Sequence, residues 1–200
     1  MRSPRQITKQ KYTLYAIAAD FCRIFEEHMN SLYLLSFLLT ADHNKAKECF
    51  VRSLDDSAKS NRVFKEWAHS WARRAVIQNA IQMIVPRPTE GSTSSSTSDV
   101  SIGHALAKSA EIAAIVELPA FERFAFVVSI LERYPDQQCS AFLNSTRDEV
   151  IAGRTRALQQ IGKSAELRRE PANIGSGDQT RKGDPGSSLQ LETISAWASA

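Results

Sequence analysis

Residues 118–161 read LPAFERFAFVVSILERYPDQQCSAFLNSTRDEVIAGRTRALQQI, and this stretch predicts three successive helices. Pro119 fits the first turn of a helix, because the N–H that proline lacks would have no partner there. Apolar residues then recur at the spacing of one buried helical face: Phe124, Val127, Val128 and Leu131. We therefore expect the first helix to pack this face against the rest of the stretch.

A second, short helix is expected from Pro135, with Asp136 in its first turn, where the helix dipole favours a carboxylate. Asn144 tolerates the left-handed conformation that ends many helices. Ser145 and Asp148 have the spacing of a capping box and predict the start of a long third helix. The expected buried residues of the two helices are Cys139, Phe142, Leu143, Val150, Ala157 and Ile161.

Two helices joined by a short turn, the second with arginines near its start, are typical of a helix-turn-helix. The arginines here are Arg147 and Arg154, seven residues apart. Similar helix pairs occur in proteins that do not touch DNA, so the spacing alone leaves DNA binding open.

The same residues are similar to region 4 of bacterial sigma factors of the extracytoplasmic-function type, which keep only regions 2 and 4. The matching positions are Leu118-Pro119, Glu122-Arg123, Asp136-Gln137-Gln138, Glu149-Val150 and Arg156-Ala157. Region 4 of this family implies binding of the minus-35 promoter element in the major groove. In this chain, the resemblance implies base-edge contacts from Thr146, Arg147, Glu149 or Arg154.

An earlier segment, VFKEWAHSWARRAVIQNAI at residues 63–81, resembles sigma region 2 through Phe64, Trp67, Ala72 and Arg73. Region 2 implies binding to the polymerase clamp and opening of the minus-10 element. The resemblance implies phosphate contacts from Arg62, Lys65, Arg73 and Arg74. From their spacing alone, Trp67 and Trp71 are instead core anchors of a helical bundle.

Upstream of that segment, Asp42 is expected to cap a helix whose inward residues are Ala46, Cys49, Phe50, Val51 and Leu54. Asp42, Ala46 and Glu48 resemble the acidic polymerase-binding helix of the family. The polymerase contacts implied by this resemblance are Asp42, Lys47, Glu48 and Arg52. The apolar run before it, residues 32–39, predicts the centre of a helical bundle.

Composition predicts an ordinary soluble protein, with 42% hydrophobic residues and a formal net charge of +3. Two basic stretches, residues 1–19 and 61–87, stand out against a balanced chain. The three cysteines are widely spaced within apolar patterns, which predicts core residues in a reducing compartment and no zinc site. Without a signal peptide or a membrane-spanning run, the expected location is the cytoplasm.

The predicted fold is all-α, with two small helical domains joined by a flexible linker, the second carrying the helix-turn-helix. The Ser/Thr-rich run lacks core-forming residues, and the C-terminal stretch is rich in Gly, Ser, Pro and charge. The expected boundaries are a region 2-like domain at 12–85, a linker at 86–100, a region 4-like domain at 101–165 and a disordered tail at 166–200.

No enzyme is expected, because the four histidines are scattered and no nucleophile, paired acid or phosphate-binding loop accompanies them. No cofactor or metal is expected either. The leading hypothesis is a sigma-like initiation protein whose partners are core RNA polymerase and promoter DNA, with an anti-sigma factor left open as a further partner.

Two other hypotheses stay open. The first is a sigma-like interaction or regulatory module that binds polymerase or a partner without opening the promoter. It is motivated by departures from the family pattern at Val51, Arg74, Gln78, Ile151 and Gly153. The second is an autonomous, dimeric helix-turn-helix regulator that binds DNA without polymerase.

Overall fold

The computed structural model describes residues 14–60, 63–88 and 110–169, with side chains described as far as residue 166. Within these ranges a 3₁₀ turn at Lys65–Trp67 directly precedes the helix Ala68–Ile84. A π-helical segment at Val127–Leu131 directly follows the helix Ala120–Phe126. Extended pairing in the same ranges is limited to one isolated antiparallel bridge between Tyr15 and Phe64. The prediction of an all-α protein is confirmed. The helices are α1 (Ala18–Glu27), α2 (Met29–Thr40), α3 (His43–Ala58), α4 (Ala68–Ile84), α5 (Ala110–Val116), α6 (Ala120–Phe126), α7 (Asp136–Leu143) and α8 (Arg147–Arg169).

Helix α2 forms the centre of the N-terminal half, which we define as residues 14–60 and 63–88. It buries seven consecutive or near-consecutive positions, as its unbroken apolar run predicted: Leu32, Leu35, Ser36, Phe37, Leu38, Leu39 and Thr40. The two hydroxyls among them are satisfied within the helix, since Ser36 donates to the Leu32 carbonyl and Thr40 to the Ser36 carbonyl. The helix can therefore pack against α3, α4 and the C-terminal half at once.

Helix α3 begins as predicted, because the Asp42 carboxylate accepts the backbone N–H of Lys45 at 2.8 Å. The prediction that Val51 faces inward is wrong, and 62% of the residue is exposed. The side of α3 that packs on α4 is lined instead by small residues, Ala46, Cys49, Ser53 and Ser57. Small side chains let the two helices approach closely. The buried side of α3 therefore runs along these four residues and does not include Val51.

Two of the three cysteines are buried and one is exposed. Cys49 and Cys139 are buried as expected, and burial raises the pKa of each thiol to about 11. The prediction of a core position is wrong for Cys22, which lies on the exposed side of α1. Phe21 and Phe25 take the inward positions of that helix.

The C-terminal half, residues 110–169, packs α6 and α7 against α8. Pro119 and Pro135 occupy the N-cap positions immediately before α6 and α7, one residue earlier than the first helical position expected for Pro119. Gly153 of α8 lies against Phe121 of α6, where an added Cβ would come within 2.8 Å of the Phe121 ring. That position is therefore a close helix–helix approach that only glycine fits without movement.

The two halves share one hydrophobic cluster, which runs from Phe25 and Leu39 in the N-terminal half to Val150 and Ala157 in the C-terminal half. Helix α2 contacts α5 and α6, and α4 contacts α7. We call these contacts between the halves the interface. The linker predicted at 86–100 lies outside the described residues from residue 89 onward, because the range 89–109 is not described. The division into two domains and the helix-turn-helix assignment stay predictions.

Arg123 of α6 is buried at the interface, and its partners among the described residues are three main-chain oxygens. It donates to the carbonyls of Leu118 at 2.9 Å and of Val116 and Leu39 at 3.2 Å. Leu39 and Val116 lie at the C-terminal ends of α2 and α5, where carbonyls lack helical partners and a cation is favourable. Burial lowers the pKa of Arg123 to about 10, so the side chain stays charged at neutral pH.

The ends of the predicted domains differ slightly from the observed helices. Helix α8 continues to Arg169, into the stretch predicted as a disordered tail. The remainder of that tail, residues 170–200, and the N-terminal residues 1–13 lie outside the described ranges.

Candidate nucleic-acid interface

The start of α8 is fixed by a capping box one residue later than predicted. The Thr146 N–H donates to the Glu149 carboxylate at 2.6 Å, and the Glu149 N–H donates to the Thr146 hydroxyl at 3.2 Å. The prediction of a Ser145–Asp148 box is wrong. Glutamate reaches back to the N-cap N–H more easily than the shorter aspartate, which favours the Thr146–Glu149 pair.

This cap occupies two of the four residues expected to contact base edges at α8. The Glu149 carboxylate accepts both the N–H and the hydroxyl of Thr146, and these hydrogen bonds lower the pKa of Glu149. Asn144 adopts the left-handed conformation that was expected, with φ 47°, and ends α7. The connection between α7 and α8 is therefore residues 144–146, a length compatible with a helix-turn-helix.

The two arginines predicted to face DNA from α8 have different surroundings. Arg147 is exposed, and the described residues give it no ion-pair partner. Arg154 donates to the Asp136 carboxylate of α7 at 2.5 Å and is three-quarters buried. Arg147 is thus the α8 arginine available for a phosphate or base, while Arg154 ties α7 to α8.

The two arginines of α4 face the C-terminal half. Arg73 donates from Nε to Glu132 Oε2 at 2.7 Å and from Nη2 to Glu132 Oε1 at 2.5 Å. The guanidinium carbon of Arg74 lies 4.7 Å from the centre of the Phe142 ring, within cation–π range. Neither contact was predicted, because the partners are far apart in sequence and belong to different predicted domains.

The Arg73–Glu132 salt bridge is shielded from water, with 13% of the arginine side chain and 5% of the glutamate side chain exposed. Within the part of the chain that the structure describes, one buried nitrogen of Arg73, Nη1, has no hydrogen-bond partner. His69, one turn before Arg73, lies against His28 with ring centres 4.4 Å apart and the ring planes tilted by 55°. Burial, together with the nearby His28 and Arg73, lowers the pKa of His69.

The prediction of core positions for Trp67 and Trp71 is wrong, since they are 58% and 41% exposed. Phe64 packs edge-on against Trp67 and stacks on Tyr15, so the exposed indole has aromatic support. Trp71 also forms one wall of a groove of about 230 Å³ between α3 and α4. The groove is lined by Asp56, Lys59, Ser60, Trp71, Ala75, Gln78, Asn79 and Gln82.

The remaining predicted residues lie on the surface of the N-terminal half or outside the description. Lys65 is exposed and lies 3.4 Å from the Asp20 carboxylate, and Arg62 falls outside the described residues. In the expected polymerase-binding set, Asp42 caps α3, Lys47 is exposed, and Glu48 pairs with Arg52 at 2.5 Å on an exposed surface. Lys47, Glu48 and Arg52 therefore share the outer side of α3 with Val51.

Comparisons of the chain with models of protein families, with curated proteins and with solved structures gave no match. In the ranges 14–60, 63–88 and 110–169, none of the helices combines the length and apolar character needed to cross a membrane. The same ranges contain no group of three or more His, Cys, Asp or Glu side chains that could hold a metal ion.

Proposed function

We propose that this chain is a sigma-factor-like transcription initiation protein that binds core RNA polymerase and promoter DNA in the cytoplasm. The observation that carries the proposal is the exposure of Trp67, just before α4, and of Trp71 within it. A bundle gains little from tryptophans that stay in water, whereas exposed indoles can stack on unpaired bases. The resemblance to region 2 rests on this same segment.

The groove beside Trp71 offers hydrogen-bonding groups next to a stacking surface. Gln78 and Gln82 follow Trp71 along the exposed side of α4, and Asp56 and Lys59 face them from α3. Amide and carboxylate groups read base edges by donating and accepting hydrogen bonds. A single unpaired base stacked on Trp71 would therefore have polar partners within the groove.

The start of α8 supplies a second surface suited to duplex DNA. Arg147 lies in the first turn, where the helix dipole favours an anion, while the carboxylates of Asp148 and Glu149 in the same turn oppose one. The Thr146–Glu149 cap fixes the direction in which this turn leaves α7. A fixed helix start with an exposed arginine is what major-groove recognition requires.

Polymerase binding is assigned to the outer side of α3. Val51 provides an exposed apolar centre, and Lys47, Glu48 and Arg52 surround it with charge. A hydrophobic centre with a polar rim is typical of protein–protein interfaces. Binding of polymerase to this side of α3 would bury the Val51 side chain, which is exposed in the free protein.

Run-off transcription with bacterial core polymerase and a promoter library tests the proposal. We expect the chain to stimulate transcription from a subset of promoters over core polymerase alone, and we expect Trp71→Ala and Arg147→Ala to reduce that stimulation. Lys163→Ala is the matched control, because Lys163 is exposed near the opposite end of α8. No stimulation from any promoter would reject the proposal.

A second function, a sigma-like regulatory module that binds polymerase without opening promoters, is favoured by one observation. Arg73, an expected phosphate contact, is bound to Glu132 and shielded from solvent. Crosslinking to polymerase without protection of promoter DNA would support this function over the first. Protection of a minus-10 element in the presence of polymerase would reject it.

A further inference from the structure

The interface between the halves covers the positive charge of α4. Arg73 is held by both oxygens of Glu132, and Arg74 lies over Phe142. Both partners belong to the C-terminal half, where Glu132 directly follows the π-helical segment and Phe142 lies near the end of α7. The stretch that gives α4 its basic character in the sequence is therefore turned toward protein and away from solvent.

The geometry of Arg73 makes Glu132 a competitor for a phosphate. A guanidinium that binds a carboxylate through two parallel N–H groups presents the same planar fork that binds a phosphate group. One carboxylate and one phosphodiester cannot occupy that fork together. Binding of an anionic backbone along α4 thus requires Glu132 to leave.

The salt bridge is also poorly suited to act as a simple stabilising contact. Two shielded charges lose much of their hydration, and this cost offsets most of their attraction. Arg73 Nη1 remains without a partner even in the paired state. His69, whose ring lies near Arg73 and Glu132, adds a group that becomes repulsive to Arg73 when it gains a proton.

The interface has two parts, the contacts of α2 with α5 and α6 and the contact of α4 with α7. Helix α2 remains joined to α5 and α6 by the shared apolar cluster and by Arg123. Arg123 also keeps two hydrogen bonds within its own half, to the carbonyls of Val116 and Leu118. Cys139 and Leu143 of α7 belong to the same cluster, so an opening that keeps the contacts of α2 with α5 and α6 is limited to Glu132 and the side of α7 that faces α4.

We propose that the Arg73–Glu132 salt bridge is an autoinhibitory contact, which holds α7 over α4 and masks Arg73 and Arg74 from the phosphates of DNA. The proposal rests on the proposed function for the identity of the anion, which is a nucleic-acid backbone. The structure is the closed state, with Glu132 on Arg73. The open state exposes both arginines, and the shift between them regulates DNA binding.

The test follows the α4–α7 distance and DNA binding in the same full-length protein. Spin labels at Ser70→Cys and Gln138→Cys, both exposed, report the distance in a Cys22→Ser background with Cys49 and Cys139 buried. Glu132→Gln removes the charge with little change of shape. Asp55→Asn is the matched control, because it removes one negative charge from an exposed pair with Lys59.

We expect Glu132→Gln to give longer and broader label distances and to raise affinity for duplex DNA by roughly 5- to 150-fold, the range of typical coupling between sites. The Asp55→Asn protein keeps the wild-type distance and affinity. The charge-reversed pair, Arg73→Glu with Glu132→Arg, returns to the short distance while affinity for DNA stays low.

Wild-type distance and wild-type affinity in Glu132→Gln overturn the proposal. A longer distance with no DNA binding by any variant supports Glu132 as the holding contact and rejects the proposed function, so the two failures are distinguishable. If Glu132→Gln does not fold, as judged by circular dichroism, Glu132→Asp takes its place. Aspartate keeps the charge but shortens the reach, and an unchanged distance in that variant overturns the proposal.

Discussion

Helix α4 carries two arginines and helix α8 carries five, yet the two helices leave different kinds of residue exposed to solvent. Helix α4 and the turn before it expose Trp67 and Trp71 and direct Arg73 toward the C-terminal half. Helix α8 exposes Arg147 at its capped start and commits Arg154 and Arg156 to carboxylates of α7 and α6. A count of basic residues therefore does not tell which charges are available to a ligand.

The largest expected effect concerns Trp71, on the α4 side of the comparison. Trp71→Ala should weaken binding to single-stranded DNA by about 1–3 kcal/mol, the usual contribution of one stacked base. Stability should change much less, because the indole is 41% exposed. Fluorescence anisotropy with an unpaired oligonucleotide measures the first quantity, and urea unfolding measures the second.

Trp71→Phe serves as the conservative control, since it keeps an aromatic face and should retain part of the binding. A loss of stability near the ~3–5 kcal/mol of a buried tryptophan would contradict the exposed position. Such a result would return Trp71 to the role of a core anchor.

Two glycines in α8 test how closely that helix packs. Gly153→Ala should destabilise the protein by about 1–2 kcal/mol, because the added methyl overpacks against the buried Phe121 ring. Gly162→Ala meets no atom within 4 Å and should stabilise the helix by up to about 1 kcal/mol. Thermal unfolding of both variants gives the comparison, and equal effects at the two sites would refute the close approach.

The position of the α8 cap can be tested with two neighbouring hydroxyls. Thr146→Ala removes the N-cap side chain and should cost about 1 kcal/mol of stability. Ser145→Ala should be nearly neutral, because the Ser145 hydroxyl is buried and none of the described residues hydrogen-bonds to it. Chemical denaturation distinguishes them, and a larger loss at Ser145 would support the cap at the earlier residue.

The exposed arginine of α8 should contribute one phosphate contact. Arg147→Ala is expected to reduce the slope of log K against log salt concentration for duplex DNA by about 1. Lys163→Ala, on the same helix, should leave the slope unchanged. A salt titration of binding measures both, and an equal loss from the two variants would mean that α8 contributes only diffuse charge.

The smallest expected effect is a pH dependence of stability from His69. Because its folded-state pKa is lowered by burial and by its cationic neighbour, the unfolded chain binds the proton more readily. The corresponding stability is fully present above the ordinary histidine pKa of 6.5 and is lost as pH falls from there through the lowered value. His69→Gln should flatten the dependence of the unfolding free energy on pH across this window.

His43→Gln is the control, since His43 stacks on Phe37 and no part of the His28–His69 pair involves it. Retention of the full pH dependence in His69→Gln would assign it to other groups. The carboxylates whose pKa values are lowered, Asp20 and Glu149, act at more acidic pH.

Local features of the fold could be predicted from the sequence because each depends on neighbours along the chain. The Asp42 cap, the left-handed Asn144 and the buried run of α2 are of this kind. The α8 cap was misplaced by one residue because Ser145–Asp148 and Thr146–Glu149 both match the capping pattern. The choice between them depends on side-chain reach, which the pattern does not contain.

The features that the sequence could not predict depend on partners distant along the chain. Trp71 has helical spacing typical of a core residue, and only the assembled bundle shows that α4 buries alanines on the side facing the core. Val51 lost its expected inward position to Ser53 and Ser57, whose small size decides the α3–α4 contact. Glu132 carries no local signal of its pairing with Arg73, so the candidate site was missing one of its main residues.

Because Arg123 binds main-chain oxygens, its acceptors survive any side-chain replacement at Leu39, Val116 or Leu118. This set of hydrogen bonds tolerates side-chain changes at the three acceptor residues but depends on the single guanidinium of Arg123. Homologous chains could therefore exchange the apolar residues around it freely and still keep the same relative placement of α2 and α6, provided that the arginine is retained.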